Sequence, residues 1–173
     1  RRYLGVLGHR RIRPLQILSL PMNDVYGSHW ATGRRPAPDA RSRDAAVYLP
    51  GRNLTLTVKA AVYCVMNHIP SLALGTLGGN PFPDARRSFM SDWARALGDG
   101  MAARLAIVMP YRSLAKSDII GRAGTLPLHL SFSCIQPRGR RHCGRCNKCA
   151  ERQKAFREAG VMDKTTYAKR SIL

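Results

Sequence analysis

Short apolar runs alternate with longer segments of helical period along this chain of 173 residues. Residues 15–20, Leu-Gln-Ile-Leu-Ser-Leu, read as a strand closed by Pro21, and the Gly-, Pro- and Arg-rich residues 27–44 read as a mobile surface loop. Residues 54–67, entered through Leu49-Pro-Gly-Arg-Asn53, are long and apolar enough for a largely buried helix. A second strand is expected over residues 71–75, followed by the turn-rich Gly78-Gly-Asn-Pro-Phe-Pro-Asp84. Phe89, Trp93 and Leu97 recur every four residues, which predicts an amphipathic helix with these three on its apolar face. A third strand is expected over residues 105–109, ended by Pro110, with helices over about residues 115–123 and 147–159 and Gly160 as a C-cap. Strand, helix, strand, helix implies a parallel α/β sheet, because parallel neighbours need a crossover connection.

Composition narrows the class. With 45% apolar residues the chain is neither disordered nor fibrous, and its length suits one domain with a small appendage. No apolar run approaches the roughly 18 residues of a membrane span, and no long apolar segment follows the basic N-terminus before Pro14. A soluble, cytoplasmic protein is the expectation. Twenty-nine Lys and Arg against ten Asp and Glu give a net charge of +19 and a pI near 11.0. Such a surplus suits nucleic acid or another polyanion. However, 23 of the 29 are Arg, scattered along the chain without a basic tract or a repeated basic–aromatic pattern. A solvated basic surface explains them equally well, since net charge speaks to partners and solubility rather than fold.

Cysteines are more informative. Cys134, Cys143, Cys146 and Cys149 fall within sixteen positions, the last three as a double C-x-x-C ladder. Two residues between thiolates let the backbone turn so that both sulfurs face one ion, with Gly144 where that turn needs a permissive backbone. Four sulfurs close a tetrahedron, so a structural zinc site is favoured over a catalytic one. An iron–sulfur cluster takes the same four ligands and stays open. A disulfide framework would need an oxidising compartment, and a lone redox pair would leave two cysteines unexplained. His142 could replace a ligand, but a flanking histidine is more often simply exposed. A zinc ion on four thiolates carries −2, which Arg140, Arg141, Arg145, Lys148 and Arg152 can offset. Cys64, in an apolar stretch, reads as a small buried hydrophobe.

In open α/β sheets ligands bind at the carboxyl ends of strands. Pro50-Gly-Arg-Asn53 opens a helix, where free N–H groups favour an anion and Arg52 adds a bidentate donor; the plain alternative is a turn with Asn53 as N-cap. The loop after Gly75 carries Asn80, Asp84 and Arg86, with Pro81 and Pro83 stiffening the backbone around Phe82. Lys116 follows the third expected strand.

Pro50-Gly-Arg-Asn53 ahead of an apolar helix, Pro83-Asp84-x-Arg86, Leu114-Ala-Lys116-Ser-Asp-Ile119, Ser133-Cys134 and Cys143-Gly-x-Cys146-x-x-Cys149 occur here in one order. That order resembles the 7-cyano-7-deazaguanine synthases, PP-loop ATPases of queuosine and deazapurine biosynthesis. The likeness runs from about Pro14 to Tyr167, including the tail around Arg152, Phe156, Gly160 and Asp163. It implies an α/β, parallel-sheet, adenine nucleotide alpha-hydrolase-like (PP-loop) fold with a small C-terminal four-cysteine zinc-binding segment. Residues 1–130 would form the nucleotide-binding-type domain, lacking its PP-loop unit, and residues 131–173 the zinc segment and last helix. The implied reaction activates the carboxylate of 7-carboxy-7-deazaguanine with ATP, captures it with ammonia as an amide, and dehydrates the amide to the nitrile. By matching position Arg52 and Lys116 would contact phosphate or carboxylate, Asn53 would support its loop, and Asp84 and Arg86 would shape the deazapurine pocket. Zinc on Cys134, Cys143, Cys146 and Cys149 and ATP with magnesium are the implied cofactors. The implied partners are the deazapurine, ATP and ammonia; a homodimer is allowed, nucleic acid is allowed but not favoured, and no membrane is implied.

The sequence departs from the family pattern in three ways. The phosphate-cradling Ser-Gly-Gly-x-Asp-Ser string does not occur, so an N-terminally incomplete chain, inactive alone, is expected. The loop after Gly75 is shorter than usual, and Ala85 stands where the family carries Cys. The positive charge exceeds what a small-molecule enzyme needs. Other readings are therefore a divergent PP-loop enzyme acting on tRNA or on another carboxylate or base, and a non-catalytic zinc module.

Overall fold

The computed structural model describes residues 2–169. Its helices are α1 (Arg2–Leu7), α2 (Asn23–Tyr26), α3 (Arg52–Met66), α4 (Arg87–Gly100), α5 (Lys116–Arg122) and α6 (Asn147–Glu158); its strands are β1 (Ser71–Ala73) and β2 (Ala106–Val108). They fall into two compact units, one of residues 18–21 and 48–115, the other of residues 1–17, 22–47 and 116–173. Among the described residues no helix is long and apolar enough to cross a membrane.

The first unit is a β-α-β crossover with a helix ahead of it. β1 and β2 pair in parallel, with Ser71 opposite Ala106 and Ala73 opposite Val108. α4 supplies the crossover and packs on β2, while α3 packs on β1. The core is built from small side chains and one long one: Thr57, Ala61 and Cys64 on α3, and Met90 and Ala94 on α4. On α4 the structure shifts the expected face by one residue. Met90, Ala94 and Gly98 are buried, and Phe89, Trp93 and Leu97 flank them half-buried. Close approach explains the shift: a Cβ on Gly98 would lie 2.7 Å from the Ala103 carbonyl oxygen. Hydrophobicity weights the large aromatics, whereas packing selects the row that lets the backbone come near.

Residues 15–20 do not form the expected strand. They pair with no strand among the described residues, and Leu15, Ile17, Leu18 and Leu20 are all exposed. A strand exists only through its ladder, and the tie recorded here is the Lys59 ammonium donating to the Ser19 carbonyl.

In the second unit α5 packs on α6 through Ile120, Ala155 and Phe156. Residues 116–130 thus belong to the same compact unit as the cysteine-rich segment. The loop of residues 27–44 is pinned at its far end: the Asn147 amide donates to the Pro38 carbonyl (2.9 Å) and Asn147 Nδ2 to the Ser42 carbonyl (2.7 Å).

Candidate metal centre and anion-binding turns

The four clustered cysteines converge. Their sulfurs lie within 4.8 Å of one another, all four residues are buried, and none is disulfide-bonded. Cys134 and Cys146 sulfurs are 3.9 Å apart and those of Cys143 and Cys149 3.8 Å. A disulfide would bring two sulfurs to about 2.0 Å. A tetrahedron with metal–sulfur bonds of about 2.3 Å has edges of about 3.8 Å, so the donor set fits one tetrahedrally bound metal ion.

Local backbone builds this geometry. The Arg145 and Cys146 amides donate to Cys143 Sγ at 3.4 and 3.3 Å, and the Gln136 and Cys143 amides donate to Cys134 Sγ at 3.4 and 3.2 Å. Gly144 takes φ 78°, the left-handed conformation that closes the turn without a Cβ clash. Cys146 is the N-cap of α6, and Cys149 sits in its first turn. Amide donors and the helix N-terminus favour thiolate over thiol. A hydrogen bond from Cys149 pulls Cys146 down to about 4, whereas that bond and burial push Cys149 up. Burial likewise raises Cys134.

His142 is not exposed, contrary to the expectation for a flanking histidine. It is 3% accessible, lies 4.4 Å from the Phe132 ring and 5.6 Å edge-on from Tyr167, and its Nε2 accepts the Ser133 amide at 3.2 Å. Burial, then the charge of Arg152, lowers its pKa, consistent with the neutral ring an acceptor nitrogen requires. Of the basic residues expected to offset the cluster, Arg140, Arg141 and Arg145 are exposed and Arg152 is buried. Its guanidinium donates to Thr165 Oγ1 (2.9 Å), Ser131 Oγ (3.0 Å) and the Leu128 carbonyl (2.7 Å), tying α6 to two neighbouring segments.

Lys116 is the first residue of α5. Its ammonium pairs with Glu151 on α6, which also accepts from Lys148 at 2.6 Å; Lys148 reaches Asp44 at 3.4 Å. Burial alone would raise Glu151, but Lys116 and Lys148 outweigh it and hold the carboxyl below the usual range.

In the other unit the Pro50–Asn53 turn meets the Pro83–Arg86 turn through a buried clamp. Asp84 Oδ2 accepts the Asn53 amide (3.0 Å), and Asn53 Nδ2 donates to Asp84 Oδ1 (3.1 Å) and to the Asp84 carbonyl (3.3 Å). Asp84 therefore satisfies an orphan amide in the first turn of α3 from 31 residues away, and its charge suits that helix end. Arg52, half-buried, lies 5.9 Å over the Phe82 ring, which packs on Tyr48 at 5.1 Å. The Arg86 side chain is exposed, while its backbone caps α4.

The structure thus brings together the four cysteines in one unit, and Arg52, Asn53 and Asp84 in the other. Sequence reasoning missed Glu151, Tyr48 and Thr57. Glu151 was findable as the residue three positions after Lys148, and Tyr48 as an aromatic two positions before Pro50. Thr57, which bridges Trp93 Nε1 (2.9 Å) and the Asn53 carbonyl (2.6 Å), had no local signal.

Residues 10–160 match the family model described as queuosine biosynthesis protein QueC. The chain is 32% identical over 184 residues to the 7-cyano-7-deazaguanine synthase of Anaeromyxobacter dehalogenans, an alignment covering 97% of this chain and 76% of that protein. The synthase of Desulfotalea psychrophila is 30% identical over 160 residues, with 88% and 73% covered. That of Chelativorans sp. is 36% identical over 127 residues, with 69% and 53% covered, so the chain spans between about half and three quarters of these relatives. With its α/β architecture, parallel strand pairing and convergent cysteines, the chain belongs to the QueC family.

Proposed function

We propose that this chain serves the ATP-dependent conversion of 7-carboxy-7-deazaguanine and ammonia to 7-cyano-7-deazaguanine. The observation that carries the reading is the Asn53–Asp84 clamp, which fixes the first turn of α3 with Arg52 beside it. A carboxylate resists ammonia until one oxygen becomes part of a good leaving group. Transfer of an adenylyl group from ATP provides this, releasing pyrophosphate; ammonia then displaces AMP and leaves the amide. A second ATP adenylylates the amide oxygen with release of pyrophosphate; loss of both protons from nitrogen then expels that oxygen as part of AMP and yields the nitrile. Such steps need cationic donors that are already in place when charge develops. Arg52 is held over Phe82 as a bidentate donor for phosphate or carboxylate. Lys116 supplies a point charge for the same kinds of group. Asn53 and Asp84 act as positioning residues, and Arg86, being exposed, is available to contact the deazapurine.

Zinc is the metal we assign to Cys134, Cys143, Cys146 and Cys149. Its thiolate preference and bond length match the sulfur separations, and four protein ligands leave no coordination position for substrate. Its chemistry there is structural cross-linking of residues 134–149. Magnesium would accompany the ATP phosphates. A reducing, cytoplasmic setting keeps the thiols available. In this reading residues 1–130 carry the nucleotide and substrate functions, and residues 131–173 the metal.

The test is direct. Full-length, zinc-loaded protein given ATP, magnesium, ammonia and 7-carboxy-7-deazaguanine should release the nitrile, detected by mass spectrometry. Arg52→Ala should lower kcat/KM about 100-fold, as loss of a transition-state donor does. Absence of nitrile from the metal-loaded, folded protein would sink the assignment.

A further inference from the structure

Glu151 sits at a junction that the proposed chemistry does not use. It lies on α6 two residues beyond the metal ligand Cys149, and its carboxylate is bracketed by the ammoniums of Lys116 and Lys148. Both side chains of the Lys116–Glu151 pair are about one-third accessible or less, 27% and 33%, so the pair is shielded without being sealed from ligand. An ammonium has three donors. Among the described residues Glu151 is the hydrogen-bond partner of Lys116, which leaves two N–H directions for an incoming anion.

The helix carrying Glu151 is fixed at three places. Cys146 and Cys149 tie its first turn to the sulfur cluster. Asn147 bonds the Pro38 and Ser42 carbonyls. Ala155 and Phe156 pack on Ile120 of α5, the helix that Lys116 opens. A free lysine side chain samples many rotamers and loses that freedom on binding an anion. A lysine already held by a carboxylate on a fixed helix has lost much of it beforehand.

We infer that Glu151 is a positioning residue that holds the Lys116 ammonium for an anionic group of the substrates, so that the metal-anchored helix α6 sets the position of a substrate-binding cation. The inference rests on reading Lys116 as an anion contact. Glu151 itself touches no substrate. The anion is a phosphate of ATP or the carboxylate of the deazapurine, and separate titrations with each distinguish them.

A double-mutant cycle tests it in the full-length, metal-loaded protein. Lys116→Ala should lower kcat/KM about 100-fold and Glu151→Gln about tenfold, chiefly through KM, and the double variant should be no worse than Lys116→Ala alone. Calorimetric titration with ATP and with 7-carboxy-7-deazaguanine should show the same pattern in affinity for one ligand and not the other. Metal content and unfolding temperature confirm that each variant is folded. If Glu151→Gln costs the same tenfold in the Lys116→Ala background, Glu151 acts otherwise than through Lys116 and the inference falls. If Lys116→Ala changes neither affinity nor rate, the role of Lys116 falls and the inference with it, while nitrile formation by the unaltered protein keeps the proposed reaction standing.

Discussion

The metal centre and the clamped turn are both buried polar sites, yet they are assembled on opposite principles. The ligands of the sulfur cluster, the four amides that donate to Cys134 and Cys143 and the left-handed Gly144 all lie between Cys134 and Cys149, with Tyr167 packed against them from outside that stretch. The Asn53–Asp84 clamp joins residues 31 positions apart, and its hydrogen bonds form only after α3 and the Pro83–Ala85 turn have been brought together. A local site draws its donors from one short stretch of chain and would depend on the ion those donors fit. A non-local site needs no ion and depends on the packing around it.

The sharpest way to break this comparison is to remove the metal. A structural zinc contributes on the order of 10 kcal/mol in small domains, comparable with the whole stability of an ordinary one. Cys146→Ala, or a strong chelator, should therefore abolish binding of about one zinc per chain and unfold residues 134–158, seen as loss of amide-exchange protection across α6. Protection across α3 should persist. Equal loss in both helices would show that the two regions are not energetically separate.

The reciprocal break is Asp84→Ala. It strands the buried Asn53 amide and leaves Asn53 Nδ2 with the Asp84 backbone carbonyl in place of the carboxylate, at a cost of about 3 kcal/mol. Urea unfolding of the unit containing residues 48–115 should shift accordingly, with zinc content unchanged. Asp84→Asn retains an acceptor oxygen and should cost less than half as much. A smaller effect is expected from Thr57→Val, which keeps the volume but removes the hydroxyl between Trp93 Nε1 and the Asn53 carbonyl. The expected loss is about 1–2 kcal/mol, with a red-to-blue change in Trp93 fluorescence reporting the altered indole environment.

The same contrast decides what was legible in the sequence. The cysteine ladder could be read because its ligands and its turn glycine are near neighbours. The helical periods of residues 52–66, 87–100 and 147–158 were likewise legible, because i and i+4 side chains share a face. Which row of α4 faces the core was not. Gly98 and Ala94 carry little hydrophobic weight, and only the neighbouring Ala103 carbonyl makes their smallness decisive. Residues 15–20 have a strand's composition, but strand formation depends on a partner that composition does not name. Arg52 and Asn53 were singled out from one tetrapeptide, yet the carboxylate that fixes Asn53 arrives from a separate turn. His142 shows the converse: adjacency to a ligand suggested exposure, whereas Phe132, Ser133 and Tyr167 enclose it.

The smallest predicted effect concerns the charge pair that links α6 to Lys116. Glu151 has its carboxyl held below the usual range by Lys116 and Lys148 against the opposing effect of burial. The unfolded chain therefore takes up a proton at this position at higher pH than the folded one does. The stabilisation is complete above the unfolded value of about 4.3 and declines as the pH falls through the folded value. With one-third of the side chain accessible, solvent screening limits it to about half a kcal/mol. Comparing Glu151→Gln with the unaltered protein, both zinc-loaded, isolates this contribution, because competition between protons and zinc for the thiolates affects both alike. The difference in urea midpoint should stay level from pH 7 to pH 5 and shrink below that. A difference that grows on acidification would mean the carboxyl is raised rather than lowered, placing burial above the two lysines as the dominant influence on Glu151.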